Sequence, residues 1–215
     1  MVSHKHKFVF LHIPKCAGTS IGEKLNSHFD ELWTYSGFKI HHDDLTEDIL
    51  KNYFVFTIVR NPWDRLYSQY KYRPWLNCAP FEDTVYNLEE KFEAEYNKSV
   101  RNIPEHINPK LDTAYNRANW FDEFIHLPSQ VEFLNGKYND NMKKISYIDY
   151  IGRFEDLDNK WKYICNKLNI KYSKLPHKNI SDYKELDYRK AYNTETKEFV
   201  AKKYNDDITL FNYEF

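Results

Sequence analysis

Apolar residues gather first at residues 7 to 13, KFVFLHI, in a nearly continuous run instead of an alternation. That is the pattern of a strand buried on both faces, the kind found in parallel sheets. PKCAGTS follows, then SIGEKLNSHF, where Ile21 and Leu25 stand at helical spacing, so the order is strand, tight loop, helix. The same grammar returns at FVFTIVR, residues 54 to 60, with Asn61 as an N-cap, Pro62 at the first helical position and WDRLYSQYKY as the helix. Two such units predict an α/β fold with a P-loop-like open parallel sheet flanked by helices, and ligands at the carboxyl ends of the strands.

The remaining elements follow the same logic. HHDDLTEDILKNY reads as a short helix with an acidic first turn, the charge that a helix N-terminus favours. Phe81 to Tyr96 reads as a charged helix, and NWFDEFIHLPSQVEFL as a helix interrupted at Pro128. YIDYIGRF is a third strand, followed by the helix EDLDNKWKYICNKLNI, whose Leu157, Trp161, Ile164 and Leu168 sit three or four apart and face the sheet. LPHKNISDY is a loop by composition, and TETKEFVAKKYNDDITLF is a closing amphipathic helix. No repeat, low-complexity linker or domain boundary appears, so 1–215 is expected to form a single domain.

Composition narrows the function. With 41% hydrophobic and 18% aromatic residues the chain can build a core, which excludes global disorder. Lys+Arg 31 against Asp+Glu 32 gives a net charge of -1, so no bulk attraction to nucleic acid or an anionic membrane is expected and any anion site must be local. No apolar run approaches the roughly 20 residues of a bilayer span, and the start reads as neither signal peptide nor membrane anchor. Cys16, Cys78 and Cys165 are odd in number and widely spaced, which points away from disulfides and zinc and toward a cytoplasmic setting. No D-x-D, H-E-x-x-H or Cys/His cluster suggests a metal site.

Pro14-Lys15-Cys16-Ala17-Gly18-Thr19-Ser20 joins a strand to a helix, placing backbone N–H groups, a glycine and two hydroxyls where a phosphate or sulfate binds. The order differs from GxxxxGK[ST], because Lys15 precedes Gly18 by three positions. A Cys-x5-Arg phosphatase loop also fails, since Gly22 stands six residues after Cys16, and Cys16 reads as a loop residue and not as a nucleophile. HIPKCAGTSI resembles the 5′-phosphosulfate loop of sulfotransferases that use 3′-phosphoadenosine 5′-phosphosulfate (PAPS), and VRNPWDRLYSQY resembles their 3′-phosphate motif. GRFEDLDNKWKYICNKLNI, LPHKNIS and ETKEFVAKKYNDDITLFNYEF are similar to later landmarks of the carbohydrate branch, which includes heparan sulfate 2-O-sulfotransferase and the chondroitin sulfotransferases.

The resemblance implies the sulfotransferase fold and transfer of a sulfuryl group from PAPS to an acceptor hydroxyl, with 3′-phosphoadenosine 5′-phosphate (PAP) as coproduct. It assigns Lys15 to charge on the departing phosphate, and the segment Lys15, Cys16, Ala17, Gly18, Thr19 and Ser20 to the 5′ end of the cofactor. Arg60 and Ser68 are assigned to the 3′-phosphate, and Lys178 and Ser181 to a loop over the nucleotide, in which His177 is structural. Arg65 reads instead as holding its helix, and His12 as a satisfied residue at a buried strand end. The base is expected at His42, which precedes Leu45 by three, or at its neighbour His41, since a histidine accepts a proton near neutrality. The lysines from Lys160 to Lys178 read as a solvated face, with a basic rim as the other reading. A carbohydrate or glycoside is the expected acceptor; a small metabolite or natural-product hydroxyl stays open. The rival classes are a P-loop nucleotide kinase, against which the Lys-before-Gly order counts, and a non-catalytic nucleotide-binding protein.

Overall fold

A computed structural model describes residues 1–29, 45–72, 76–90, 128–135, 144–176 and 187–215. They fall into two units. The first, drawn from 1–29, 45–61, 130–135 and 144–176, is a sheet with helices. Its strands are β1 (Val2–Ser3), β2 (Phe8–Leu11), β3 (Phe54–Val59) and β4 (Tyr150–Arg153), in the order β1-β2-β3-β4. β2, β3 and β4 run parallel, with Phe10 opposite Phe56 and Phe56 opposite Tyr150. β2 is buried along its whole length, and the Phe10 and Phe56 rings stack at 5.0 Å across the pair. A sheet buried this way must be covered by helices.

β1 departs from the all-parallel expectation: it pairs antiparallel with β2, Val2 opposite Val9. Only a few residues separate the two strands, too few for a parallel crossover, and Lys7 takes φ 50 where the hairpin closes onto β2. β4 is shorter than YIDYIGRF suggests. Tyr147 ends a 3-10 turn (Lys144–Tyr147), and Asp149 accepts the Val55 N–H with its carboxylate at 2.8 Å, occupying a ladder donor with a side chain.

Helix α1 (Gly18–His28) follows β2, and the short α2 (Glu47–Asn52) precedes β3. Thr46 caps α2 by accepting the Ile49 N–H, and Glu47 and Asp48 supply its acidic first turn. The α6 helix (Leu157–Lys167) rests on β4 and buries Trp161, Ile164 and Cys165; Leu157 and Leu168 are half-buried. The close approach depends on Gly152, where a Cβ would lie 2.6 Å from Ile58 Cδ1 and 3.1 Å from Lys160 Cβ. Trp161 is held at its polar end by Nε1–H donation to the Ser173 carbonyl at 2.9 Å.

The second unit, drawn from 62–72, 76–90, 128–129 and 187–215, is helical. It contains α3 (Pro62–Tyr72), α4 (Phe81–Tyr86), α7 (Thr194–Lys203) and α8 (Asn205–Phe211) around Trp63, Leu66, Tyr70, Phe81, Val85 and Val200. Pro62 opens α3 as its fixed φ predicts. α4 ends at Tyr86 with Asn87 as its C-cap; the rest of the helix expected to Tyr96 lies outside the described residues from 91 onward. Of the helix expected before Pro128, residues 119–127 lie outside them as well, and the part after it is α5 (Gln130–Leu134), in the first unit.

The closing segment is two helices, not one. Tyr204 is at once the C-cap of α7 and the N-cap of α8, because Asn205-Asp206-Asp207 places acid where a new helix start favours it. An Asn193/Thr196 capping box opens α7. Half-buried Tyr192 donates its hydroxyl to the Trp63 carbonyl at 2.8 Å, and Trp63 Nε1–H donates to the Lys197 carbonyl at 3.0 Å.

Candidate functional site

β2 ends at Leu11, and the chain reaches α1 through a turn in which Cys16 N–H donates to the Ile13 carbonyl at 3.3 Å. Lys15 at φ 67 and Ala17 at φ 63, ψ 13 are left-handed although neither is glycine. Such residues cost on the order of 1 kcal/mol each and persist only where their surroundings hold them. A left-handed residue followed by a helical one turns consecutive N–H groups toward one point, the concavity that binds anions. Ala17, the N-cap of α1, supplies no side-chain cap, and the first turn carries no acidic residue. The opening N–H groups of α1 thus meet neither a side-chain oxygen from the cap nor a carboxylate in that turn.

Gly18 serves this loop through its missing side chain. A Cβ there would lie 1.7 Å from His12 Nε2, so the imidazole sits against the first residue of α1. His12 also stacks on Phe10 at 5.9 Å. Desolvation by the surrounding protein, with a smaller contribution from the amino terminus at Met1, lowers its pKa to about 4, so the ring is neutral at pH 7. Of the two hydroxyl residues expected here, Thr19 is exposed and Ser20 is buried.

The structure brings Arg60 to this loop. Its Nη1–H donates to the Lys15 carbonyl at 3.0 Å, and its guanidinium lies over the Phe154 ring, 4.1 Å from the centroid. Its main chain is held by Gln130, which is fully buried: Arg60 N–H donates to Oε1 at 2.8 Å and Nε2–H donates to the Arg60 carbonyl at 2.9 Å. Cys16 Sγ lies 3.4 Å from the same Oε1 and 3.6 Å from the Pro14 carbonyl, two acceptors for one thiol proton. The neighbouring Asn61 N–H donates to Glu155 Oε1 at 2.6 Å.

Lys15, Cys16, Ala17, Gly18, Thr19, Ser20 and Arg60 are therefore one connected group. Ser68 is half-buried on α3 in the second unit. Arg65, on the same helix, is buried and donates from Nη1 to the Pro128 carbonyl at 2.8 Å, a contact that holds α3. His41, His42, His177, Lys178 and Ser181 lie outside the described residues. Sequence reasoning missed Gln130, Phe154 and Glu155. GRFEDL marked the last two as a strand-to-helix junction and part of a family landmark, with no binding role for either, and no periodicity or motif singles out Gln130.

A phosphate or sulfate fits this group, which offers uncapped helix N–H groups, left-handed loop backbone and a guanidinium in one place. Among the described residues no group of three or more His, Cys, Asp or Glu could hold a metal ion, and no helix is long and apolar enough to cross a membrane. No curated protein and no solved structure matches the chain. The family model described as "Sulfotransferase family" matches residues 1–214, and the chain belongs to that family of transferases.

Proposed function

We propose that this chain is a PAPS-dependent sulfotransferase of the carbohydrate branch, acting as one domain on a hydroxyl of a carbohydrate or glycoside and releasing PAP. The observation that carries the reading is the left-handed loop before an uncapped helix, tied to Arg60 through the Lys15 carbonyl. When bound, PAPS supplies the activated sulfuryl group. The N–H groups of Gly18, Thr19 and Ser20 bind the 5′-phosphate, and Lys15 neutralises the charge that grows on the departing oxygen. Cys16 and Ala17 contribute backbone to the same cradle. Arg60 gives the 3′-phosphate planar two-point recognition, with its guanidinium already oriented by Phe154. Ser68, Lys178 and Ser181 keep the nucleotide roles that their motifs assign. His42, or His41 beside it, takes the acceptor's hydroxyl proton.

The test compares thermal shifts and turnover. PAP should raise the melting temperature more than ATP with magnesium at equal concentration, since stabilisation follows RT ln(1 + [L]/Kd). Label from a radioactive sulfate donor should then appear on a carbohydrate or glycoside acceptor in a screen that also contains small hydroxylated metabolites. Stabilisation by ATP with magnesium and none by PAP would overturn the reading in favour of a kinase.

A further inference from the structure

We propose that Gln130 is a positioning residue that locks Arg60 to the loop at 14–17, so that both phosphate ends of the nucleotide are gripped by one preformed frame; this rests on the function proposed above. Gln130 opens the short helix α5 and is fully buried. A buried amide must be hydrogen-bonded, and this one meets the need with the main chain of a residue 70 positions away. Its orientation is not ambiguous: the Arg60 N–H can only donate and the Arg60 carbonyl can only accept, so an amide turned the other way would lose both bonds. Residues in extended strands bond to a neighbouring strand through the same two atoms, and here, just past Val59 at the end of β3, a side chain takes the neighbour's place.

The same Oε1 faces the Cys16 thiol at 3.4 Å, while Arg60 returns to the loop through the Lys15 carbonyl at 3.0 Å. Lys15 and Cys16 are peptide-linked, so the contacts close a ring: Cys16 to Gln130, Gln130 to Arg60, Arg60 to Lys15. A ring of this kind fixes the 5′-phosphate loop and the 3′-phosphate arginine relative to each other before any ligand arrives. Preorganisation of that sort is where affinity and rate are lost when a support shifts by about 1 Å.

Two substitutions separate positioning from bulk support. Gln130→Leu keeps volume but leaves the Arg60 N–H and carbonyl without the amide. Gln130→Glu keeps the acceptor oxygen and replaces the donor by a second oxygen, which can bond the Arg60 carbonyl only when protonated. The affinities of PAP and AMP are measured by calorimetry for wild type and both variants between pH 5 and 8, with the melting temperature recorded alongside. The preference for PAP over AMP should fall about tenfold in Gln130→Leu. In Gln130→Glu, expressed relative to wild type at each pH, it should be low at pH 8 and climb as the pH is lowered. A lowered melting temperature with an unchanged preference in Gln130→Leu, and a flat ratio in Gln130→Glu, would overturn the proposal and leave Gln130 a fold residue only. If Gln130→Leu does not fold, the pH course of Gln130→Glu decides. A wild type that does not distinguish PAP from AMP overturns the sulfotransferase-site reading first, and the Gln130 proposal with it.

Discussion

Arg60 Nη1 donates to the Lys15 carbonyl oxygen across 3.0 Å, joining residues 45 positions apart at the carboxyl ends of β3 and β2. The bond, and the Phe154 ring beneath the guanidinium, both exploit a flat cation. Arg60→Lys keeps the charge and loses the plane. It is expected to bind PAP about tenfold more weakly than wild type, and Arg60→Ala about a hundredfold more weakly, by calorimetry. Equal affinity in Arg60→Lys and wild type would show that charge alone matters at this position.

Gly18 and His12 occupy adjoining space, and a methyl group at 18 would collide with the imidazole. Gly18→Ala should therefore destabilise the fold by about 2 kcal/mol in urea titrations. The double variant with His12→Ala should be less destabilised than the two single losses added, by about 1 kcal/mol or more. Strict additivity would place the ring elsewhere.

His12 also sets a pH dependence. Its folded pKa of about 4 lies below the ordinary value of 6.5, so between those limits the unfolded chain binds a proton that the folded chain refuses. Stability from this group is complete above about pH 6.5 and is lost as pH falls toward 4, on the order of 3 kcal/mol across the window. In His12→Asn the unfolding free energy should change less steeply with pH over that interval. An identical slope in both proteins would assign the acid sensitivity to other groups.

The three thiols should separate by reactivity. Cys78 is exposed, whereas Cys16 and Cys165 are buried, and burial raises the Cys165 pKa to about 11. Native protein should release about one equivalent of chromophore quickly from a disulfide reagent, mapped by mass spectrometry to Cys78, and denatured protein about three. Rapid labelling of Cys16 in the native state would contradict its place between Gln130 and Pro14.

The parts visible in the sequence were those written in local code. Continuous apolar runs announced β2 and β3, Pro62 announced the start of α3, and Trp161 with Ile164 announced the buried face of α6. Lys15 to Ser20 could be read as an anion loop because a strand, small residues and a helix follow one another directly. What escaped depends on partners far along the chain. Gln130 looks like any helix-surface glutamine until β3 ends beside it, and Phe154 looks like a core residue until Arg60 lies across it. The antiparallel β1 was hidden because two residues carry no periodicity, and the break at Tyr204 because an apolar stripe continues through a change of helix.

The fastening between Arg60 and the loop uses the carbonyl of residue 15 and asks nothing of that residue's side chain. Architecture and chemistry are thereby uncoupled at a single position: an uncharged, similarly long replacement such as methionine could silence the ammonium while the tie stays in place. That division would let an experimenter remove the cation without dismantling the loop, provided the replacement tolerates the φ of 67 at position 15.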